Sequence, residues 1–169
     1  MFLTKTERTG NLSISRRSAA KSEKSQKGRE KMLKEKAYEY FIRKDHNCAE
    51  SVLLAVSEEY GLGIGPEEMK LVSAFGGGMG CGKLCGALAG GMAALGKLAV
   101  NGRAHATENF GPLCAGLYEK FETVLGSTQC EELKSRYRND DVRCLKTVEL
   151  GLEAFEAYAK EKGLIPGAE

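Results

Sequence analysis

The chain has no apolar run near the roughly 20 residues that a membrane-spanning helix needs, so no membrane partner is expected. It has little net charge. Lys and Arg number 25 against 23 Asp and Glu, and the surplus of +2 is too small to argue for nucleic acid. Proline is scarce, at three residues in 169, which leaves long helices free to form. No stretch alternates apolar and polar residues convincingly as a half-buried strand does, and no internal repeat is visible. The run C-x-x-C-H is missing, so c-type haem attachment is excluded, and the thioredoxin-like C-x-x-C is missing too. Arg16 and Arg17 resemble the start of a twin-arginine export signal, but the apolar segment that should follow them is absent. A cytoplasmic location is therefore expected.

What is present is helix-forming residues, glycine and cysteine. Hydrophobic residues make up 42% of the chain, and Leu, Ala, Glu and Lys dominate. That composition predicts an all-α fold, a bundle of about six helices with a glycine-rich turn. The length suits one domain with a substantial core. Residues 1–28 are polar, rich in Ser, Lys and Arg and without apolar period, so they read as a disordered basic arm before a helical domain over 29–169.

The helices are predicted as follows. Residues 29–44 place Met32, Ala37, Tyr40 and Phe41 on one stripe. Asn47 can cap a helix that starts at Cys48, runs to about Tyr60 and is ended by Gly61, Gly63 and Gly65. Pro66 opens a third helix carrying Met69, Leu71, Val72 and Phe75. A central helix past Gly82 carries Leu84, Leu88 and Leu95 and stops at Asn101-Gly102. The next spans Thr107 to Leu125, or starts just before Pro112, with Leu113, Leu117, Phe121 and Val124 as its apolar face. Ser127 and Thr128 can cap a short helix with Cys130 and Leu133. The aspartates of the 138–141 turn can cap a last helix from Cys144 to Gly163.

Six cysteines are well above ordinary usage, and without a secretory signal they point to metal or redox chemistry rather than structural disulfides. Two of them, Cys81 and Cys85, fall in FGGGMGCGKLCGALAGGMAALG, where Gly80 and Gly82 flank the first thiol and allow close backbone approach to a ligand. On a helix these two cysteines would face the same way, one turn apart. Cys48, Cys81, Cys130 and Cys144 each fall at or near a predicted helix start, where backbone N–H groups favour a thiolate. Cys114, between Leu113 and Leu117, reads as core packing. His46, His105 and Lys83 read as exposed side chains, although His46 and Lys83 lie close enough to the cysteines in sequence to tune one. The dispersed spacing does not suit a zinc ribbon. It does suit an iron–sulfur cluster, which needs about four thiolates. A metal-free thiol–disulfide couple using Cys81 and Cys85 with a resolving cysteine stays open, as does a structural or binding module whose cysteines pack or hold zinc.

The blocks NCAESVL (47–53), GCGKLCGALAGG (80–91), FETVLGSTQC (121–130) and RCLKTVELGLEAF (143–155) are similar to those of a known family. The chain resembles the redox-active proteins named for their C_GCAxxG_C_C cysteine signature, a family that also covers part of the split-Soret cytochromes. The resemblance places the family's cysteines on Cys48, Cys81, Cys85, Cys130 and Cys144. It implies a helical domain with a cysteine-lined redox or metal centre, an iron–sulfur cluster being the expected cofactor. The missing haem-attachment motif means that haem is not carried over. Cys114 and the basic arm lie outside the pattern. The expected partner is another redox protein, and a homodimer is left open.

Overall fold

The computed structural model describes Gly28 and residues 31–166. Apart from Gly28, the basic arm expected over 1–28 lies outside the described residues. Seven α-helices follow one another: α1 (31–38), α2 (Cys48–Tyr60), α3 (Pro66–Lys70), α4 (Gly86–Ala99), α5 (Phe110–Leu125), α6 (Cys130–Tyr137) and α7 (Leu145–Glu161). Among the described residues the only extended pairings are two isolated bridges, Leu84 with Gln129 and Asn139 with Arg143, so the all-α expectation holds. No helix among them is long and apolar enough to cross a membrane.

Local chemistry sets most of the helix ends. Asn47 accepts the N–H groups of Ala49 and Glu50, while Glu50 accepts that of Asn47, a reciprocal cap at the start of α2. Gly61 and Gly126 close α2 and α5 in the left-handed conformation that glycine adopts most easily. Pro66 opens α3. Pro112 lies in the first turn of α5, where its missing N–H costs no helical bond, so the helix starts just before it. α1 ends in a wide turn over Glu39–Arg43, with Lys44 donating to the carbonyl of Glu39 five residues back.

Four helices form the body. α4 lies on α2 and α7, and α5 packs on α7, around Leu88, Leu95, Leu117, Phe121, Leu152 and Phe155. Full burial of each such side chain contributes about 1.5–3 kcal/mol. α2 and α4 approach at backbone distance, because a Cβ on Gly90 would stand 2.3 Å from the carbonyl oxygen of Ala49. α6 is the outlier: it touches α7 and the glycine loop rather than the centre of the bundle.

Several expectations need correction. Met32 is exposed and Leu33 is buried in its place, so that Leu33, Ala37 and Phe41 follow one another at four-residue spacing on the buried face. α3 stops at Lys70, before a separate 3₁₀ turn over Ser73–Phe75, which leaves Leu71 75% exposed. Leu125, not Val124, completes the buried face of α5. Ser127 accepts the N–H of Gln129 and shapes a turn instead of capping α6. α7 has no side-chain cap, and it is Asn139 that accepts the N–H of Val142 in the preceding turn.

Candidate redox centre at the glycine loop

The expected helical pairing of Cys81 with Cys85 does not form. α4 begins only at Gly86, with Cys85 as its N-cap residue in extended conformation. Before it the chain winds left-handed: Gly77, Gly78, Met79 and Gly80 have φ of 61°, 64°, 58° and 70°, and Gly82 has 76°. Such backbone costs a residue with a Cβ about 1–2 kcal/mol, which is why glycine fills every position of this run except Met79. Cys81 sits within this loop, exposed, and its thiol donates to the carbonyl of Gly78 at 3.2 Å. Leu84, read from its spacing as helical, pairs with Gln129 instead.

That short pairing was invisible to local periodicity, and it brings two cysteines together. The N–H of Cys85 bonds the Thr128 carbonyl at 2.8 Å, and the N–H of Cys130 bonds the Lys83 carbonyl at 2.6 Å. The start of α4 is thereby fastened to the start of α6. Gly78 lies under the joint, where an added Cβ would stand 2.6 Å from the Cβ of Cys130. A second fastening joins the starts of α2 and α7. Arg143 reaches back to the Asp45 carboxylate at 2.8 Å, bonds the Phe41 carbonyl and stacks 4.6 Å over the Phe41 ring. Cys144 is thus drawn toward Cys48.

Four of the five signature cysteines therefore stand at helix starts: Cys48 and Cys130 as first residues, Cys85 and Cys144 as N-cap residues. Sequence reading had Cys81 where Cys85 belongs. Electrostatic coupling links Cys48 with Cys144, Cys85 and Cys130, and Cys130 with Cys85, Cys81 and Cys144. Cys114 has no part in this set. It lies half-buried on α5, near Tyr158.

Burial pushes the thiols of Cys48, Cys130 and Cys144 up, and that of Cys85 up to about 12. Opposing this, the backbone N–H of Gly77 faces the Cys48 sulfur, and those of Ala87 and Leu88 face Cys85 without forming a full cap. Lys134, one turn past Cys130 on α6, favours charge on Cys48, Cys130 and Cys144, and Arg138 and Arg143 add to it at Cys144. His46 faces Glu50, which also accepts the Ser73 hydroxyl, so it serves the α2 cap. Lys83 is exposed, and His105 lies in an exposed turn.

Among the described residues, no three His, Cys, Asp or Glu side chains are grouped as ligands of one metal ion. A tetrahedral zinc holds four ligands about 2–2.3 Å from one point, and the set is not drawn in that far. An iron–sulfur cluster spreads its thiolates around a larger inorganic core and takes N–H donors to sulfur. The donor set suits that group by type: several thiols, helix starts and loop N–H groups.

Fold and loop together define a small all-α protein whose five signature cysteines lie at helix starts and in a left-handed glycine loop. The model of the family described as "Putative redox-active protein (C_GCAxxG_C_C)" matches residues 46–158, and the chain belongs to that family. Neither the curated proteins nor the solved structures contain a match to the chain.

Proposed function

We propose that the protein is a redox carrier whose cysteine centre holds an iron–sulfur cluster. Cys48, Cys85, Cys130 and Cys144 would hold the iron, and Cys81 is the fifth, outer thiol. One observation carries this reading: four of the five signature cysteines begin or cap helices, and burial pushes each of these thiols up. Neutral buried thiols are poor nucleophiles, so a group that binds them as thiolates suits them better than direct thiol chemistry does. When bound, a cluster would accept and release single electrons. The loop and helix N–H groups facing Cys48 and Cys85 would stabilise negative charge on sulfur and so raise the potential.

The test is a visible spectrum with iron and sulfide analysis on protein purified without oxygen. A brown protein with stoichiometric iron is expected, with the colour kept in Cys114→Ala and lost in Cys85→Ala. A colourless protein that also fails to take up iron and sulfide on reconstitution overturns the reading.

A second reading has its own observation: Cys81 is exposed and next to Cys130 in the electrostatic set. In a metal-free couple the Cys81 thiolate would attack a partner's disulfide and release one thiol. Cys130 would then attack the mixed disulfide and release the other, two electrons passing to the partner. Reversible loss of two thiols per chain in metal-free protein, abolished in Cys81→Ala, would favour it.

A further inference from the structure

A cleft of about 460 Å³ opens between α2, α3 and α4, and no cysteine lines it. That volume lies within the range small ligands occupy. Its walls are apolar, formed by Leu53, Ile64, Leu71, Val72, Phe75 and Val100. Leu71 is the wall that folding leaves uncovered: at 75% it is the most exposed large hydrophobic among the described residues.

Gly96 also lines the cleft, within α4. A Cβ added there would meet no atom within 4 Å, and Gly96 is not one of the glycines at positive φ. Neither packing nor backbone conformation calls for glycine at this position, although glycine inside a helix costs stability relative to alanine. Gly90 on the same helix is different, since its Cβ would strike the Ala49 carbonyl. What Gly96 supplies is room, and Ala93, one turn earlier on the same face, keeps this wall of the cleft low.

Two charged side chains line the cleft. Glu68 is engaged, because its carboxylate accepts the N–H of Gly65 at 3.0 Å in the cap of α3. Lys97 is exposed and has no hydrogen-bond or ion-pair partner among the described residues. An apolar cleft with one uncommitted cation is complementary to a ligand with an apolar body and one negative charge.

We propose that the cleft binds a small amphipathic carboxylate, an aliphatic chain ending in a carboxyl group. The chain would lie over Gly96 and cover Leu71, and the carboxylate would pair with Lys97. The site is independent of what the cysteines hold.

The experiment titrates full-length protein by calorimetry with octanoate, and with octanol and octylamine as probes of equal length but different charge. Octanoate should bind saturably and the most tightly of the three. Gly96→Leu should abolish its binding while melting at or above the wild-type temperature, since the new side chain enters open space. Lys97→Gln, an exposed substitution, should weaken octanoate several-fold and leave octanol unchanged. The proposal is overturned if wild-type protein takes up no octanoate, if octylamine binds more tightly, or if Gly96→Leu binds octanoate as wild type does. A lowered melting temperature in Gly96→Leu overturns it as well, by showing that the space is not free. Self-association of the wild type that Gly96→Leu abolishes, without octanoate uptake, overturns it and gives the cleft to a second copy of the chain.

Discussion

The backbone N–H of Cys130 bonds the carbonyl oxygen of Lys83 at 2.6 Å. Through that bond and its companion from Cys85 to Thr128, the glycine loop and α6 form one unit at the cysteine end of the bundle. The space beneath the joint is filled to contact by Gly78, at φ of 64°. Gly78→Ala would push a methyl to 2.6 Å from the Cys130 Cβ and 2.7 Å from the Lys83 nitrogen. We expect a loss of roughly 2–4 kcal/mol in urea unfolding, combining left-handed strain with overpacking. An alanine variant as stable as wild type would show that the joint yields easily.

Burial holds the Cys85 thiol at about 12, against about 8.5 in an unfolded chain. The folded state therefore keeps its proton where the unfolded chain has lost it. Stability from this group is complete below about pH 8.5 and is lost as pH rises toward about 12. Reduced, metal-free protein should become progressively less stable across that window, and Cys85→Ala should flatten the slope. Equal slopes in the two proteins would contradict the direction of the shift.

Lys134 lies one helical turn past Cys130, half-buried, and favours negative charge on three cysteines. Removing a cation near a redox centre makes the electron-rich state less favourable. Lys134→Gln should lower the midpoint potential by on the order of tens of millivolts, more at low salt than at high. Lys134→Arg should lie near wild type. Redox titration of the three proteins at two ionic strengths decides it.

Cys114→Ala should keep whatever metal or redox titre the protein has, because Cys114 stands apart on α5. Its cost should be modest, about 1 kcal/mol for a half-buried sulfur. Loss of iron in this variant would bring Cys114 into the centre.

Much of this was legible in the sequence wherever the cause is local. Asn47 and Glu50 announce the start of α2, Gly61 and Gly126 the ends of two helices, and Pro112 the start of α5. The places of Cys48, Cys130 and Cys144 at helix starts were legible as well. The pairing of Cys81 with Cys85 on one helix did not hold, because the spacing of Leu84, Leu88 and Leu95 fits helical period while Leu84 is in fact extended against Gln129. That partner lies in a distant part of the chain, and periodicity cannot see it. The glycine density of 76–82 was the available signal, since consecutive left-handed residues cannot lead into a helix at Cys81. The caps assigned to Ser127, Thr128 and the aspartates near 140 failed for a related reason: short polar runs offer several donors and acceptors, and the tertiary bridges select among them.

The contact of Gly90 with the Ala49 carbonyl would shape any redox centre at this end of the bundle. Cys48 precedes Ala49 on α2, and Cys85 caps the helix that carries Gly90, so two of the five sulfurs ride on one stiff frame. Cys81 belongs to the glycine run instead, outside that frame. Any redox centre built on Cys48 and Cys85 would therefore move little between oxidation states, which would keep its reorganisation energy low, and geometric change on gaining or losing an electron would fall on the glycine loop rather than on the bundle.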